Sequence, residues 1–297
     1  MEARRALSLA LFLSCAILVV ELVGGSLFHS AALTADALHV ITDILAVLFS
    51  LLALSISARP PTERLTYGFH RYEVLASLVN GFSLFAIVGI IMYEAYLRLL
   101  TPQPIFVLGT AAFASVAMVL NIVASRILNS VQARIPGHRD DNVASVELHL
   151  FGDALSSLAV IVGAVAVFLT GRYFLDAIIA AFIGLIVLRS AIKTTVEGGA
   201  IFMERSPLKD IGALRQRLVN VKGVVDIHDL HVWRICSHIT VASMHACLDV
   251  QGKSNSGSIR NQLEHEMNDL GIDHVTIQLE EICCTPVHGH ETRLSTP

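Results

Sequence analysis

Long apolar runs separated by short polar links dominate the first two thirds of the chain. Because a bilayer core of ~30 Å needs about 20 apolar residues per helix, the pattern predicts six membrane-spanning helices over residues 6–28, 31–58, 74–97, 105–128, 143–169 and 174–192. The first run is too long, and too closely followed by a second, for a cleaved signal peptide, so we expect it to be retained. Residues 1–205 are therefore predicted to form an all-α transmembrane domain.

The pattern changes after residue 205, where apolar runs shorten and charged residues become frequent. The segment SPLKDIGALRQRLVN has a helical period, with Ser206 as its predicted N-cap and Pro207 as its predicted first helical residue. VVDIHDLHVWRI and HITVASMHACLDV alternate like paired strands, SIRNQLEHEMNDLG is typical of a helix, and HVTIQLEEI is typical of a third strand. This α-β-β-α-β order predicts a small cytoplasmic α+β domain over residues 206–282, followed by a flexible tail over 283–297.

Composition and charge indicate an integral, multi-pass membrane protein. Of the 297 residues, 54% are hydrophobic and only 15% are charged, which is unusual for a soluble domain. Lys and Arg concentrate on one side of the six predicted spans, so both termini are expected in the cytoplasm. The sequence contains no basic run and no basic patch interleaved with aromatic residues, so nucleic acid is not an expected partner.

Two of the predicted spans contain the same costly pair of polar residues. His39 and Asp43 in span two, and His149 and Asp153 in span five, repeat the spacing H-x-x-x-D. Residues four apart share one face of a helix, and a rise of ~1.5 Å per residue places both pairs near the middle of the bilayer in helices that run in opposite directions. Two imidazoles and two carboxylates suit a tetrahedral Zn²⁺ ion, with cobalt and cadmium as further candidates.

The cost of burying these residues indicates a function for them. An ionisable side chain inside the membrane costs at least ~2.5 kcal/mol on insertion scales, and four of them share one depth. Metal binding requires neutral imidazole and ionised carboxylate, so it displaces protons. Asp36 and Glu147 flank the two pairs and are candidates for orienting the ligands or carrying protons. The alternative for each residue is that an ordinary helix contact satisfies it.

Several motifs together resemble the zinc-transporting branch of the cation diffusion facilitator family. They are the order of six spans, the two H-x-x-x-D pairs, LTYGFHRYEVL at the start of span three, and HDLHVW with TIQLE near the C-terminus. The resemblance covers nearly the whole chain and implies a homodimeric antiporter in the lipid bilayer. In such a protein the four intramembrane residues, here His39, Asp43, His149 and Asp153, hold one divalent ion and exchange it for protons. A His at the first position of the span-two pair favours zinc over cadmium.

The resemblance also implies that the soluble domain binds zinc as a structural or regulatory ion. His228 and His245 match ligand positions of the family, and Glu280 matches a carboxylate ligand position. Gln278 replaces a further His of that site. Candidate substitutes for the missing ligand are His231, His265, His274 and Cys247.

Two other family features concern the links between spans. Arg71 and Glu204 match the two residues of a charge interlock, and the alternative for Arg71 is a basic residue that only marks the cytoplasmic face. The His-rich link typical of many animal zinc transporters is missing between spans four and five, where only His138 remains. This favours a bacterial type of protein, and hence the bacterial inner membrane.

Two other classes of function compete with transport. An intramembrane metalloenzyme needs an open coordination position and a general base, and the sequence has no H-E-x-x-H motif, so we do not expect an enzyme. A membrane-anchored zinc sensor or regulator without transport activity remains the alternative, although it gives no reason for four buried ligands in the spans.

Overall fold

The computed structural model describes residues 2–132, 141–249, 252 and 255–280. Six long helices come first in that part of the chain: α1 (Glu2–Phe28), α2 (Ala31–Ser57), α3 (Arg71–Leu100), α4 (Val107–Gln132), α5 (Asp141–Thr170) and α6 (Phe174–Phe202). All six are long and apolar enough to cross a membrane. The predicted fold class, six transmembrane helices followed by a small α+β domain, is confirmed. The predicted tail, 283–297, lies outside the described residues.

Some helices run past the apolar stretches from which they were predicted. α3 begins at Arg71 and α6 continues to Phe202. The apolar run of span three begins only at residue 74, and that of span six ends at residue 192. Polar residues such as Lys193 and Thr194 end an apolar run without ending the helix, because neither is a strong helix breaker. The length of a span in the bilayer and the length of its helix are therefore different quantities.

Close packing of the spans depends on small residues. A Cβ atom added to Gly81 of α3 would lie 2.3 Å from Oγ1 of Thr195 on α6, so only glycine allows this approach. Buried alanines of α2, α3, α4 and α6 pack with Ile91 and Ile183 in one apolar cluster; they include Ala31, Ala35, Ala114 and Ala180. Small interfacial residues are the usual means by which membrane helices approach each other closely.

The chain divides into two compact units. One comprises Met1–Leu52 and Ala76–Thr195, and the other comprises Ala53–Leu75 and Val196–Pro297. The second unit thus contains the end of α2, the beginning of α3 and the end of α6 in addition to the α+β domain. The boundary predicted at residue 205 from the change in composition stays a prediction.

The α+β domain contains a three-stranded sheet. Its elements are α7 (Ile211–Val219), β1 (Val224–Arg234), β2 (Thr240–Leu248), α8 (Ser256–Asn268) and β3 (His274–Glu280). The strand order is β1-β2-β3, with β2 antiparallel to β1 and parallel to β3. A parallel pair needs a crossover connection, and α8 provides it.

The hydrophobic core of this domain lies on one face of the sheet, beneath α7 and α8. Its fully buried members include Leu218, Ile227, Met244, Leu263 and Met267. Because successive side chains of a strand point to opposite faces, the alternate residues of the same strands lie on the other face of the sheet. The metal-binding candidates of the domain belong to that second set.

The predicted start of α7 is wrong. The helix begins at Ile211, and the carboxylate of Asp210 is its N-cap, accepting a hydrogen bond from the Ala213 N–H at 2.9 Å. Ser206 instead accepts a hydrogen bond from the Leu208 N–H at 3.2 Å in a local turn. Both Ser and Asp are good N-caps, so composition alone did not distinguish them.

Candidate metal centres

The two H-x-x-x-D pairs face each other between α2 and α5. Nε2 of His149 lies 3.2 Å from Oδ2 of Asp43, and Nε2 of His39 lies 3.6 Å from Oδ1 of Asp153. Within each helix the His and Asp atoms are 3.8 and 3.9 Å apart. The structure therefore brings all four predicted residues to one place.

Three of the four residues are close enough to one another to share a single ion, and His149 lies 3.2 Å from one of these three, Asp43. Four ligands at ~2.0 to 2.3 Å from a tetrahedral ion are about 3.3 to 3.8 Å from one another. Ligand atoms of His39, Asp43 and Asp153 all lie within 4.8 Å of each other. Nδ1 of His39 is buried and has no hydrogen-bond partner among the described residues. A buried imidazole nitrogen without a partner is costly in an apolar environment, and a metal ligand bond would satisfy it.

A cavity of 810 Å³ gives access to this site. Its lining comes from α2, α3, α5 and α6, and it extends from the four residues to Asn80, Ser190 and Thr194. The His149 side chain is 45% exposed, whereas Asp153 is only 9% exposed. The site is thus more open on the His149 side than on the Asp153 side.

Hydrogen bonds join α2 and α6 at the opposite end of the bundle. The Asp176 carboxylate of α6 accepts bonds from the Ser30 hydroxyl at 2.7 Å and from the N–H groups of Ala31 and Ala32 at 2.6 and 3.4 Å. These N–H groups are at the start of α2, where a helix has no partners of its own for them. Asp176 therefore caps α2 from a neighbouring span.

Asp36, a candidate for orienting ligands or carrying protons, contacts α5 rather than the four-residue site. The hydroxyls of Ser156 and Ser157 both donate to its carboxylate, and Ser157 also contacts the Asp153 carbonyl oxygen at 3.1 Å. Glu21 of α1 is fully buried. The side chain of Glu147, the other flanking candidate, lies outside the described part of the chain.

The sequence contains a signal for the serine contacts. Ser156 and Ser157 follow Asp153 by three and four positions, so they lie on the same face of α5. The face that carries the metal-binding candidate therefore also carries the two donors to Asp36. The spacing of these polar residues along one helix face is therefore the sequence signal for the contacts.

In the α+β domain, strand pairing brings the three predicted ligands together. His228 of β1 is opposite His245 of β2, and Cys247 of β2 is opposite Glu280 of β3. Glu280 is the centre of the group, because Oε2 lies 3.1 Å from Nε2 of His228 and Oε1 lies 2.8 Å from Nδ1 of His245. Gln278 donates its amide N–H to the same Oε1 at 3.0 Å.

Only one of the four substitutes considered for the missing ligand joins this group. Sγ of Cys247 lies 4.0 Å from Oε2 of Glu280, and ligand atoms of His228, Cys247 and Glu280 all lie within 4.8 Å of each other. The other three substitutes have different contacts: His231 with Asp229, His265 with Asp269, and His274 with Tyr67.

A bulge in β1 places Asp229 beside the group. The pairing of β1 with β2 is interrupted between His228 and His231, and Asp229 there has a left-handed backbone with φ of +52°. Its carboxylate lies 3.0 Å from Nε2 of His231 and 3.8 Å from Nε2 of His245. The hydrogen bond to His231 lowers the pKa of the Asp229 carboxyl, so it is ionised over a wider pH range.

Arg71 and Glu204, the two residues of the predicted charge interlock, lie close together. The Arg71 guanidinium at the start of α3 lies 2.6 Å from the Glu204 carboxylate just after α6. Glu204 has a left-handed backbone with φ of +57°, and the Arg205 N–H donates to the Ala200 carbonyl at 2.9 Å. This 6→1 bond is typical of a helix end at which glycine is preferred. Glutamate is uncommon in that conformation, and its carboxylate here pairs with Arg71.

Comparison with known proteins agrees with the two-part organisation. Residues 7–203 match the family model described as the cation efflux transmembrane domain. Residues 207–282 match the model described as the cation efflux protein, cytoplasmic domain. Together the two matches cover both groups of metal-binding candidates.

Relatives of similar length carry names that refer to metal efflux. The chain is 33% identical to the zinc transporter ZitB of Escherichia coli over 98% of this chain and 91% of the relative. It is 32% identical to the metal cation efflux system protein CzcD of Cupriavidus metallidurans over 94% and 87%. It is also 30% identical to a cadmium, cobalt and zinc/H(+)-K(+) antiporter of Bacillus subtilis over 93% and 88%.

Proposed function

The chain belongs to the cation efflux family, the family that its motifs resemble under the name cation diffusion facilitator, and on that premise we propose that it moves zinc out of the cytoplasm in exchange for protons. It is a divalent cation transporter that spans the membrane several times. Relatives named for zinc transport support zinc as the cargo, and one name also includes cadmium, cobalt and potassium.

The observation that carries the proposal is the convergence of His39, Asp43, His149 and Asp153 at the end of an open cavity. Two nitrogen and two oxygen donors favour zinc over magnesium or calcium, which prefer larger sets of oxygen ligands. The alternative of a membrane-anchored sensor does not require such a group in the spans. Transport does, because the cargo needs a binding site within the bilayer.

The same four residues provide the coupling to protons. Zinc binds the neutral form of imidazole and the ionised form of carboxylate, so its arrival displaces protons from these side chains. Protons that arrive from the other side of the membrane compete for the same atoms and release the ion. Alternating access to one site therefore converts a proton gradient into zinc export without a separate energy source.

The cavity supports an inward-open state in this scheme. It extends toward the end of the bundle where α6 ends and the chain continues into the α+β domain, and we assign that end to the cytoplasm. Asp176 and its three donors hold α2 and α6 together at the other end. Export then requires these outer contacts to separate while the inner cavity closes.

The finer assignments of the protein's setting are also proposals. We assign a homodimer in the bacterial inner membrane, with both termini in the cytoplasm, on the basis of the family, the bacterial relatives and the distribution of Lys and Arg. Zinc in the α+β domain would be held by His228, His245 and Glu280, whose side chains contact one another. There it would stabilise the pairing of the three strands.

Zinc uptake into proteoliposomes tests the proposed function. Vesicles that are acidic inside are expected to accumulate zinc when they contain the protein, and to stop when a protonophore dissipates the gradient. The zinc signal should be accompanied by alkalinisation of the lumen. The sensor alternative predicts zinc binding without uptake. Uptake that follows a potassium gradient and ignores the pH gradient would contradict proton exchange.

A further inference from the structure

The group in the α+β domain contains a thiol that the match to the family does not supply. The family positions give His228, His245 and Glu280, with Gln278 where a further His is expected. Cys247 lies among them, with its sulfur 4.0 Å from the Glu280 carboxylate. The family's His ligand is thus missing at Gln278, and the sulfur of Cys247 is available as a metal-binding atom in the same group.

The strand register explains why Cys247 faces the site. His245 and Cys247 are two residues apart on β2, so they lie on the same face of the sheet. Met244, Ala246 and Leu248 alternate with them and form part of the core beneath the helices. Glu280 of β3 pairs directly with Cys247. Regular alternation, rather than a chance approach of two loops, therefore fixes the thiol beside the carboxylate.

Burial distinguishes this cysteine from an incidental surface thiol. Cys247 has no exposed surface and Glu280 is 8% exposed, although neither belongs to the apolar core cluster. A buried carboxylate needs partners that offset its lost hydration, and its neighbours here are two imidazoles, an amide and a thiol. All except the amide are preferred zinc ligands when the thiol is deprotonated.

We propose that Cys247 is a ligand of a resident metal ion in the α+β domain, completing a histidine, thiolate and carboxylate site with His228 and Glu280. Zn²⁺ is the expected ion, and Cd²⁺ and Co²⁺ are expected to bind as well. When the ion binds, the sulfur–metal bond forms as the S–H proton leaves to solvent. A thiolate excludes Mg²⁺ and Ca²⁺ in favour of softer ions. This site thus differs in chemistry from the sulfur-free site in the membrane.

Zinc X-ray absorption on the full-length protein tests the proposal. The background variant carries Cys283→Ser and Cys284→Ser, which remove the two neighbouring thiols at the end of the chain, and His39→Ala with Asp153→Ala, which disable the membrane site. We expect one sulfur at ~2.3 Å from zinc, together with nitrogen or oxygen ligands at ~2.0 to 2.2 Å. A background protein whose bound zinc has no sulfur ligand, or that binds no zinc, would overturn the proposal.

Single substitutions in that background identify the sulfur. Cys247→Ser is expected to remove the sulfur signal and the near-ultraviolet thiolate-to-metal absorption of the Cd²⁺ form, and to weaken binding about tenfold or more. Cys236→Ser is the matched control, since Cys236 is also buried but is not in the metal-binding group; it should keep both signals. Circular dichroism verifies that each variant folds.

The two substitutions divide the outcomes clearly. Sulfur coordination that survives Cys247→Ser, or that is lost with Cys236→Ser alone, would refute the assignment. Because binding is measured with the membrane site disabled, this result is independent of zinc transport. Failure of the proteoliposome assay and failure of the sulfur assignment are therefore distinguishable.

Discussion

His149 on α5 is closer to Asp43 on α2 than to the aspartate of its own helix. The distances from its Nε2 atom are 3.2 Å to Asp43 and 3.9 Å to Asp153. Likewise His39 is 3.6 Å from Asp153 across the interface and 3.8 Å from Asp43 within its helix. The binding unit is therefore shared between two helices, and a movement of α2 against α5 would break it.

The first prediction concerns this cross-helix contact. Asp43→Asn keeps the size of the side chain but removes a charged oxygen ligand. Zinc affinity is therefore expected to fall about tenfold or more, because losses of this size already follow changes to residues that only contact a metal ligand. Calorimetry on the detergent-solubilised protein measures it, in the presence of Cys247→Ser to reduce binding elsewhere. Asp269→Asn, at the exposed C-cap of α8, should leave the affinity unchanged. Equal affinities for both variants would contradict the assignment of Asp43.

The second prediction concerns selectivity. His39→Asp replaces one nitrogen donor with a carboxylate that can bind through one or two oxygens, which relaxes the tetrahedral set and admits a larger ion. The ratio of zinc to cadmium uptake should therefore fall. Parallel uptake of the two ions by the same vesicles measures it. If the ratio stayed at the wild-type value while uptake continued, His39 would not determine the selectivity.

The third prediction concerns the serine pair that contacts Asp36. Removing both hydroxyls with Ser156→Ala and Ser157→Ala leaves a buried carboxyl without these two donors. Each lost hydrogen bond is expected to reduce the free energy of unfolding by about 1 to 3 kcal/mol. A lowered melting temperature in detergent is expected. Ser115→Ala is the matched control, because its hydroxyl donates to the Ala111 carbonyl of its own helix. Equal melting temperatures for the two proteins would show that the donors to Asp36 are dispensable.

The fourth prediction concerns the ion pair between Arg71 and Glu204. The two side chains are both 55% exposed, so breaking the pair should change the free energy of unfolding by less than ~1 kcal/mol. We nevertheless expect Arg71→Glu to reduce zinc uptake, because it repels the end of α6 from the start of α3. Adding Glu204→Arg should restore uptake by reversing the pair.

A charge reversal elsewhere provides the control for this pair. Lys209→Glu changes the same charge close to the end of α6 but breaks no ion pair among the described residues, so its uptake should match wild type. If Arg71→Glu alone transported at the wild-type rate, the basic residue would only mark the cytoplasmic face, as the alternative interpretation holds.

The sequence predicted the fold well where its patterns are long and repetitive. Six apolar runs gave the six spans, and alternation in the last third gave the α-β-β-α-β order. The family inferred from the combined motifs is confirmed by both domain models. The ends of elements were less predictable, because a helix can continue past its apolar residues, and because two residues near α7, Ser206 and Asp210, were both competent caps.

The contacts that depend on three dimensions were beyond a reading of single segments. The four-residue spacing predicted that His39 and Asp43 share one helix face, and the depth in the bilayer predicted that His149 lies near them. The serine donors to Asp36 can be identified only when α2 is seen to lie against α5. In the same way the segment around Asp176 does not indicate by itself which groups that carboxylate contacts. Its three donors identify it as a cap for another helix.

Zinc uptake by the His39→Ala and Asp153→Ala variants tests the central claim most directly. Both variants are reconstituted at equal density with wild type in vesicles that are acidic inside, and initial rates of uptake are compared. The account predicts that each variant loses uptake almost completely, because one ligand from either helix is missing. Uptake by both variants at the wild-type rate would contradict it, since the ion would then cross the membrane without the site shared by α2 and α5.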